Sequence, residues 1–207
     1  MATLAVLCGD PIVEKLSAYS ANLSISNSIM TTYYHYHKTP IGNLLLAGNG
    51  DYLSLLGFPE GTMARRHQGG WKKDRKPFEA VEFQLDSYFA SELQEFDLPL
   101  ELSGTEFQKI VWKMLAEIPY GETWSYGELA RHIGRPKASR AVGAANGLNP
   151  IPVIIPCHRV IGSDGKLTGF GGGIKTKEYL LNLENNVIAG IVDTAFCVRD
   201  KRSQREE

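Results

Sequence analysis

The sequence has few features that would place it outside a cell or in a membrane. Its 207 residues include only three cysteines, Cys8, Cys157 and Cys197, which cannot form a disulfide framework and are typical of a reducing compartment. No apolar run reaches the roughly 20 residues that cross a bilayer, and the first residues lack the basic stretch of a secretory signal. We therefore expect an intracellular protein without membrane contact, located in the cytoplasm or, in a eukaryote, in the nucleus.

The chain also lacks a large excess of charge, since 22 Lys and Arg oppose 23 Asp and Glu. The balance varies along the chain: residues 1–104 carry a net −4 (8 basic against 12 acidic), residues 105–186 a net +3 (10 against 7), and residues 187–207 none (4 against 4). A mildly basic second half permits contact with phosphates, although ordinary variation between two surfaces explains the same numbers. A hydrophobic fraction of 43% with 22% charged residues argues against a disordered or collagen-like chain.

The first half predicts a small sheet domain after a loosely attached extension. Residues 1–30 end in a Ser- and Asn-rich stretch with little periodicity, which favours an extension. Residues 42–47 and 52–58 flank the turn Gly-Asn-Gly-Asp, a pattern that predicts antiparallel hairpins. Residues 77–89 predict a helix, because Pro77 suits a first helical turn and the apolar residues that follow share one face. The rest of this half is predicted as a loop at 61–76, a strand or irregular connector at 97–102, and a domain boundary at Gly104.

The second half predicts three helices and then an interrupted segment. An amphipathic helix follows Thr105 and ends before Pro119. Ser125 caps a second helix, and only Gly134-Arg135-Pro136 separates it from a third, a spacing that predicts a helix-turn-helix. The remaining predictions are a second helix ending near His132, a third at 137–147, an extended, proline-interrupted segment at 151–157, and a last helix at 175–183 that buries Tyr179, Leu180 and Leu183.

These elements predict an α+β fold without internal repeats. We expect a small N-terminal α/β domain with an antiparallel sheet at residues 31–104. A mainly helical C-terminal domain with the helix-turn-helix follows at 105–186, and residues 187–207 form a tail. The tail has too few basic residues to predict a DNA-binding arm.

Within the third predicted helix, residues 138–145 are small or medium in size around one long cation, Arg140. Small side chains let a helix backbone approach another surface closely, and glycine within the helix costs about 1 kcal/mol of helix stability. Tight packing on a neighbouring helix explains this composition. A helix that presses into a nucleic-acid groove, with Arg140 reaching further in, explains it equally well.

The segment Pro156-Cys157-His158-Arg159-Val160 carries the strongest signal of chemistry. A lone cysteine in an apolar segment is usually a small core residue. Here two prolines, at positions 152 and 156, precede Cys157 and restrict its backbone. A histidine and an arginine follow it, a neighbourhood that lowers the pKa of a thiol. Cysteine and histidine are also the minimum pair for nucleophilic catalysis. If the segment is extended, adjacent side chains point to opposite faces, so His158 would act on Cys157 through a water molecule. No second Cys or His lies at zinc-site spacing.

Residues 31–184 resemble the O6-alkylguanine-DNA alkyltransferases, also called methylated-DNA–protein-cysteine methyltransferases. The resemblance is strongest from Thr105 onward and rests on six ordered blocks. These blocks are Gly-Glu-Thr-Trp-Ser-Tyr-Gly-Glu-Leu-Ala (121–130), Arg-Ala-Val-Gly (140–143), Asn-Pro (149–150), Ile-Pro-Cys-His-Arg-Val (155–160), Gly-Phe-Gly-Gly (169–172) and Lys-Glu-Tyr-Leu-Leu-Asn-Leu-Glu (177–184).

The resemblance implies a DNA-binding role for the second half. Its recognition helix would enter the minor groove of double-stranded DNA, and an alkylated guanine would be flipped out of the stack. Arg140 would fill the vacated place, while Tyr126 crowds the target phosphate and hydrogen-bonds the extruded guanine. Asn149 would brace the turn between the recognition helix and the active-site strand. Arg135 and Ser163 match positions that touch the DNA backbone.

The resemblance also implies the reaction, a direct reversal of DNA damage. The Cys157 thiolate would attack the alkyl carbon on O6 of guanine, with Tyr126 as the hydrogen-bond donor that assists the leaving guanine. The implied relay is Cys157–water–His158–Glu184, in which the carboxylate holds the imidazole as a base; without the resemblance, Glu184 is equally well a solvated residue near a helix end. Arg159 is expected to be structural. The thioether product would not be reversed, so we expect one turnover per molecule, no cofactor and a monomer.

Two features depart from the family pattern. Phe170 stands where many members have tyrosine, so a hydroxyl contact is lost there. Some members carry an N-terminal zinc site, but Cys8, His35, His37 and His67 lack the spacing of zinc ligands, and we predict no metal site.

Two other functions remain as alternatives. A lesion-binding protein on the same scaffold would flip bases without accepting the alkyl group, but such relatives replace the cysteine. A Cys–His hydrolase would turn over an acyl substrate repeatedly, and this alternative leaves Arg140 and Tyr126 without a role.

Overall fold

A four-stranded sheet forms the first part of the fold. The computed structural model describes residues 31–188, so the predicted extension, most of the predicted tail, Cys8 and Cys197 lie outside the described residues. The strands are β1 (Tyr33–Thr39), β2 (Gly42–Gly48), β3 (Leu53–Gly57) and β4 (Lys72–Lys73), in the order β3-β2-β1-β4. The pairs β1–β2 and β2–β3 are antiparallel, which confirms the predicted hairpins, whereas β4 adds two parallel residues within the segment predicted as a loop.

The interior position of β2 follows from its run of apolar residues. Leu44, Leu45, Leu46 and Ala47 are all buried. Because successive strand residues point to opposite faces, this run requires both faces of the sheet to be covered. Helix α1 (Glu79–Phe89), preceded by a 3₁₀ turn at Lys76–Phe78, packs beside the sheet and buries Val81, Leu85 and Tyr88.

Three helices follow, and two of them begin at side-chain caps. Thr105 and Gln108 cap α2 reciprocally, and Ser125 and Glu128 do the same for α3, so each cap supplies partners for backbone N–H groups at the helix start. Helix α4 has no side-chain cap and begins at Ser139, two residues later than predicted. The bounds are α2 (Glu106–Ala116), α3 (Tyr126–His132) and α4 (Ser139–Gly147), and the pair α3–α4 forms the predicted helix-turn-helix.

The prediction that residues 151–157 are extended is wrong. Residues 151–155 form a turn, in which Ile155 N–H donates to the Ile151 carbonyl at 2.9 Å and Val153 adopts a φ of 76°. Cys157–Arg159 then forms a 3₁₀ turn. Prolines at 152 and 156 lack the N–H groups that a strand ladder requires. The strand in this region comes after the 3₁₀ turn. It is Val160–Ile161 (β6), which pairs in parallel with Trp124–Ser125 (β5).

The connector takes the irregular one of its two predicted forms, whereas the last helix differs in detail from the prediction. Residues 97–102 are irregular, with a single bridge between Leu53 and Leu100. Helix α5 spans Ile174–Ile188 and is longer than predicted. It buries Leu180, but Tyr179 is 38% exposed, so the prediction that Tyr179 is buried is wrong. The inward face instead carries Lys177 and Glu184, two charged residues that an apolar pattern does not reveal.

One continuous core joins the sheet to the helices. It extends from Leu44 and Leu46 on β2 to Val142 on α4 and Leu180 on α5. Trp112 of α2 is buried in it and donates its indole N–H to the Ala145 carbonyl at 2.9 Å, which fixes α2 against α4. Among residues 31–188, no helix is long and apolar enough to cross a membrane.

Candidate active site

A cavity of about 430 Å³ lies between the sheet part and the helical part. Cys157 lies in its wall, at the start of the 3₁₀ turn. The rest of the cavity wall consists of helices α3 and α4, residues 149–152, the loop at 168–171 and the segment that follows β3. The lining residues are Phe58, Thr62, Met63, Tyr126, Gly143, Asn146, Gly147, Asn149, Pro152, Cys157, Thr168, Gly169, Phe170 and Gly171.

The Cys157 thiol is nearly inaccessible and is held by Asn149. It is 5% exposed, and burial raises its pKa to about 11, while a hydrogen bond with Asn149 and the charge of Lys177 act in the opposite direction. Asn149 Nδ2 also donates to the Ile155 carbonyl at 2.8 Å, and its Oδ1 accepts from Ile151 N–H at 3.0 Å. Asn149 therefore closes the turn that leads from α4 to Cys157. The thiol is protonated at neutral pH and needs a base to become a nucleophile.

Glu184 lies at the centre of a buried network beside Cys157. Its Oε1 accepts from Tyr88 Oη at 2.7 Å and Arg159 Nη2 at 3.0 Å, and lies 2.8 Å from His158 Nε2. Its Oε2 accepts from Arg159 Nε at 2.9 Å and Gly121 N–H at 3.0 Å. Burial raises the pKa of Glu184, but the hydrogen bonds from His158 and Arg159 and the charge of Arg159 outweigh this effect and bring the pKa to about 2. The carboxylate is ionised, so it accepts from every partner.

This carboxylate fixes the state of the neighbouring imidazole. Burial lowers the pKa of His158 against the opposing effect of Glu184, so the ring is neutral at neutral pH. Because Glu184 can only accept, Nε2 of His158 carries the proton and Nδ1 is the basic nitrogen. Nδ1 is buried and has no hydrogen-bond partner within residues 31–188.

The Arg159 side chain connects this network to the backbone of another segment. Its Nη1 donates to the Ile118 carbonyl at 2.6 Å, so the guanidinium joins the segment after α2 to Glu184. Its side chain is almost fully buried. A buried cation next to a carboxylate balances charge in the interior.

Tyr126 lies in the cavity wall, whereas the other three predicted DNA contacts are not part of the cavity lining. Tyr126 is half-buried at the first turn of α3, and its ring lies so close to Gly143 that a Cβ there would be 3.5 Å away. Arg140, Arg135 and Ser163 are all exposed. Arg135 covers the ring of Phe107, with 5.4 Å from its guanidinium carbon to the ring centroid.

The small residues of α4 divide between two surfaces. Val142, Ala145 and Asn146 are buried, which agrees with packing on a neighbouring helix. Ala141, Ala144 and Gly147 recur every three residues on the exposed side, next to Arg140. The exposed side of α4 is therefore nearly flat with one long cation at its start.

Comparisons with known proteins decide the family. Residues 32–102 match the ribonuclease-like domain of 6-O-methylguanine DNA methyltransferase, and residues 106–186 match the DNA binding domain of 6-O-methylguanine DNA methyltransferase. The chain belongs to the 6-O-methylguanine DNA methyltransferase family. This confirms the resemblance that the sequence carries.

Individual relatives of this methyltransferase family agree over nearly their whole length. A methylated-DNA–protein-cysteine methyltransferase of Methanosarcina acetivorans is 51% identical over 154 residues, which cover 74% of this chain and 99% of the relative. One from Mycobacterium bovis is 54% identical over 156 residues, covering 74% and 93%. The crystal structure of Mycobacterium tuberculosis OGT in complex with DNA matches with a TM-score of 0.71 at 54% identity, covering 74% and 93%. The expected α+β fold is confirmed.

Two buried residues near the candidate site, Lys177 and Tyr88, were not predicted from the sequence. Lys177 is buried on α5, donates to the carbonyls of Val160 and Thr168, and has a pKa lowered by burial to about 8. Tyr88 of α1 reaches Glu184 from 96 residues away. The only sequence signal for Lys177 was its place in a family block, and no local pattern marks Tyr88.

The histidines of the sheet part of this methyltransferase contact carboxylates and an aromatic ring. Nε2 of His35 lies 3.1 Å from Glu82 Oε1, and Nε2 of His37 lies 2.7 Å from Asp86 Oδ1. His67 stacks on Tyr34 with 4.2 Å between ring centroids. Within residues 31–188, no group of three or more His, Cys, Asp or Glu side chains is arranged to hold a metal ion.

Proposed function

We propose that this protein repairs DNA by moving the alkyl group of O6-alkylguanine to Sγ of Cys157, once per molecule. DNA repair by alkyl transfer to a protein cysteine is the activity of the family to which the chain belongs. The observation that carries the assignment to Cys157 is its place in the cavity wall next to the buried His158–Glu184 pair. No other cysteine occurs among residues 31–188.

The thiol loses its proton to His158 through one water molecule. Nδ1 of His158 is the free basic nitrogen of a neutral ring, and Glu184 stabilises the imidazolium that forms. The hydrogen bond from Asn149 and the charge of Lys177 favour the thiolate. Each of these groups lowers the cost of forming an anion in a site where burial opposes it.

The transfer then exchanges one bond for another. The Sγ lone pair attacks the alkyl carbon, the S–C bond forms, and the C–O6 bond breaks with its electron pair moving to guanine. The guanine anion takes up one proton, equivalent to the one released by the thiol, and the Tyr126 hydroxyl donates a hydrogen bond that stabilises it. The products are an S-alkylcysteine and an ordinary guanine. This balance consumes no cofactor, and the thioether accounts for the single turnover.

The exposed side of α4 provides the DNA-binding surface in this proposal. Ala141, Ala144 and Gly147 leave the helix backbone close to the surface, which suits insertion into a minor groove. Arg140 fills the place of the extruded guanine, and Arg135 and Ser163 contact the backbone phosphates. Flipping a base costs a few kcal/mol of unstacking, which these contacts offset.

The remaining parts of the proposal concern organisation. The chain acts as a monomer, with residues 31–104 and 105–186 as its two domains. It works where the DNA is, in the cytoplasm or in the nucleus of a eukaryotic cell. O4-alkylthymine is a second substrate to be tested beside O6-alkylguanine.

The test is the stoichiometry of methyl transfer from duplex DNA with one labelled O6-methylguanine. We expect one label per wild-type molecule, none for Cys157→Ala, and one for the matched control Cys8→Ala/Cys197→Ala, which retains only Cys157. Binding of the duplex without any transfer would favour the lesion-binding alternative, which the relatives' activity does not favour. Repeated turnover of an acyl ester would favour a hydrolase.

A further inference from the structure

The segment after β3 forms part of the cavity that contains Cys157. Phe58, Thr62 and Met63 come from the sheet part of the chain, yet they line the same cavity as Cys157 and Tyr126. Phe58 is buried, and Met63 is half-buried. The sheet part therefore contributes directly to the shape of the site.

Close backbone contacts fix this segment against the loop at 168–172. Met63 N–H donates to the Gly171 carbonyl at 3.0 Å. A Cβ on Gly61 would lie 2.3 Å from the Gly171 carbonyl oxygen, and a Cβ on Gly171 would lie 2.3 Å from Cγ of Met63. Such distances are shorter than real contacts, so both glycines are needed for the close approach. The rings of Phe58 and Phe170 meet edge to face at 5.4 Å between centroids.

The apolar lining indicates what this wall recognises. The carbon attacked by Cys157 must lie against Sγ, so any larger alkyl group has to extend from that point into the cavity. Hydrocarbon and thioether groups form much of the lining. Such groups discriminate between substituents by size and not by hydrogen bonding. The apolar side chains in question are Phe58, Met63, Pro152 and Phe170.

We propose that Met63 sets the upper size of the alkyl group that this protein accepts. This inference rests on the proposed function. A methionine is unbranched and flexible, so its side chain can shift to admit a moderate substituent while it still contacts a small one. Phe58 is buried and packed on Phe170 and Gly172, which leaves it little room to move. Met63 is thus the adjustable part of the wall.

The test compares two substrates and three variants. Single-turnover transfer to Cys157 is measured from the same duplex carrying O6-methylguanine or O6-benzylguanine, and the ratio of the benzyl rate to the methyl rate is the readout. We expect Met63→Ala to raise this ratio about tenfold and the stiffer, larger Met63→Phe to lower it by a similar factor. Met114→Ala is the matched control, since Met114 is a partly buried methionine of α2 outside the cavity lining, and it should leave the ratio unchanged.

The two variants act in opposite directions, so reduced stability cannot imitate the result. A ratio that stays constant in both Met63 variants, or that moves equally in Met114→Ala, would overturn the role of Met63 while methyl transfer by the wild type still supports the proposed function. A wild-type chain that takes up no methyl group would overturn both.

Discussion

Nε2 of His158 lies 2.8 Å from Oε1 of Glu184, and both side chains are completely buried although they are 26 residues apart in sequence. Arg159 and Tyr88 bond to the same carboxylate. Glu184 therefore orients the imidazole that we propose as the base, and its network also joins α1, the 3₁₀ turn and α5. A substitution here should affect reactivity and stability together.

Replacing Glu184 by Gln should reduce both the reactivity of the protein and its stability. The amide keeps the shape of the side chain but removes the charge that balances Arg159, and a buried cation left unpaired costs about 3–5 kcal/mol. We expect a loss of this size in the free energy of unfolding by urea, with slower methyl transfer under conditions where the variant is still folded. The control is Glu178→Gln, which changes an exposed glutamate of the same helix. Equal stability of the two variants would contradict the network.

The same network predicts how stability depends on pH. The pKa of Glu184 is about 2 in the folded protein against an ordinary value of 4.5, so its contribution is complete above about pH 4.5 and is lost as the pH falls toward 2. The difference corresponds to about 3 kcal/mol. The lowered pKa of His158 also stabilises the folded protein at neutral pH. This contribution begins to be lost as the pH falls below the ordinary histidine value of 6.5.

Urea unfolding of the wild type at several pH values tests this dependence. The free energy of unfolding should fall steadily from about pH 7 to about pH 3. Glu184→Gln should lack the part of the decrease below about pH 4.5. An unchanged pH profile in this variant would show that Glu184 is not the titrating group.

The sequence predicted the local elements of this site better than its long-range contacts. The capping residues Thr105 and Ser125 are local signals, and both helices begin where those signals predict. The resemblance alone paired Glu184 with His158, since a contact across 26 residues leaves no periodic pattern. The contact of Tyr88 with Glu184 was missed for the same reason. The segment before Cys157 was predicted as extended because prolines exclude a helix, but they also exclude a strand.

Tyr126→Phe should separate DNA binding from the reaction. The ring packs beside Gly143 in the wild type and remains in the variant, whereas the hydroxyl that would stabilise the departing guanine is removed. Loss of one such donor typically slows a reaction about a hundredfold. We expect this decrease in single-turnover methyl transfer with nearly unchanged affinity for the duplex. Tyr179→Phe removes the hydroxyl of a tyrosine outside the cavity lining and should change neither quantity.

Arg140→Ala should impair repair of duplex DNA more than repair of single strands. Arg140 is exposed at the start of the flat side of α4 and is proposed to replace the flipped base. A single strand needs little unstacking, so it gains little from such a replacement. We expect transfer from the duplex to slow about tenfold or more, with a smaller change for the same sequence as a single strand.

The control for Arg140 is Lys137→Ala, which removes the same charge from the exposed turn before α4. Its effect should be similar for duplex and single strand, because it acts only through attraction to phosphates. If Arg140→Ala slowed methyl transfer from duplex and single strand by the same factor, Arg140 would act only as a phosphate contact.

The most direct measurement is the mass of the protein after reaction with duplex DNA that contains one O6-methylguanine. We expect the intact protein to gain the mass of one methyl group and no more at excess DNA. We also expect the peptide containing Cys157 to carry the methyl group. A methyl group on another residue, or an unchanged mass after the lesion has been repaired, would contradict transfer to Cys157.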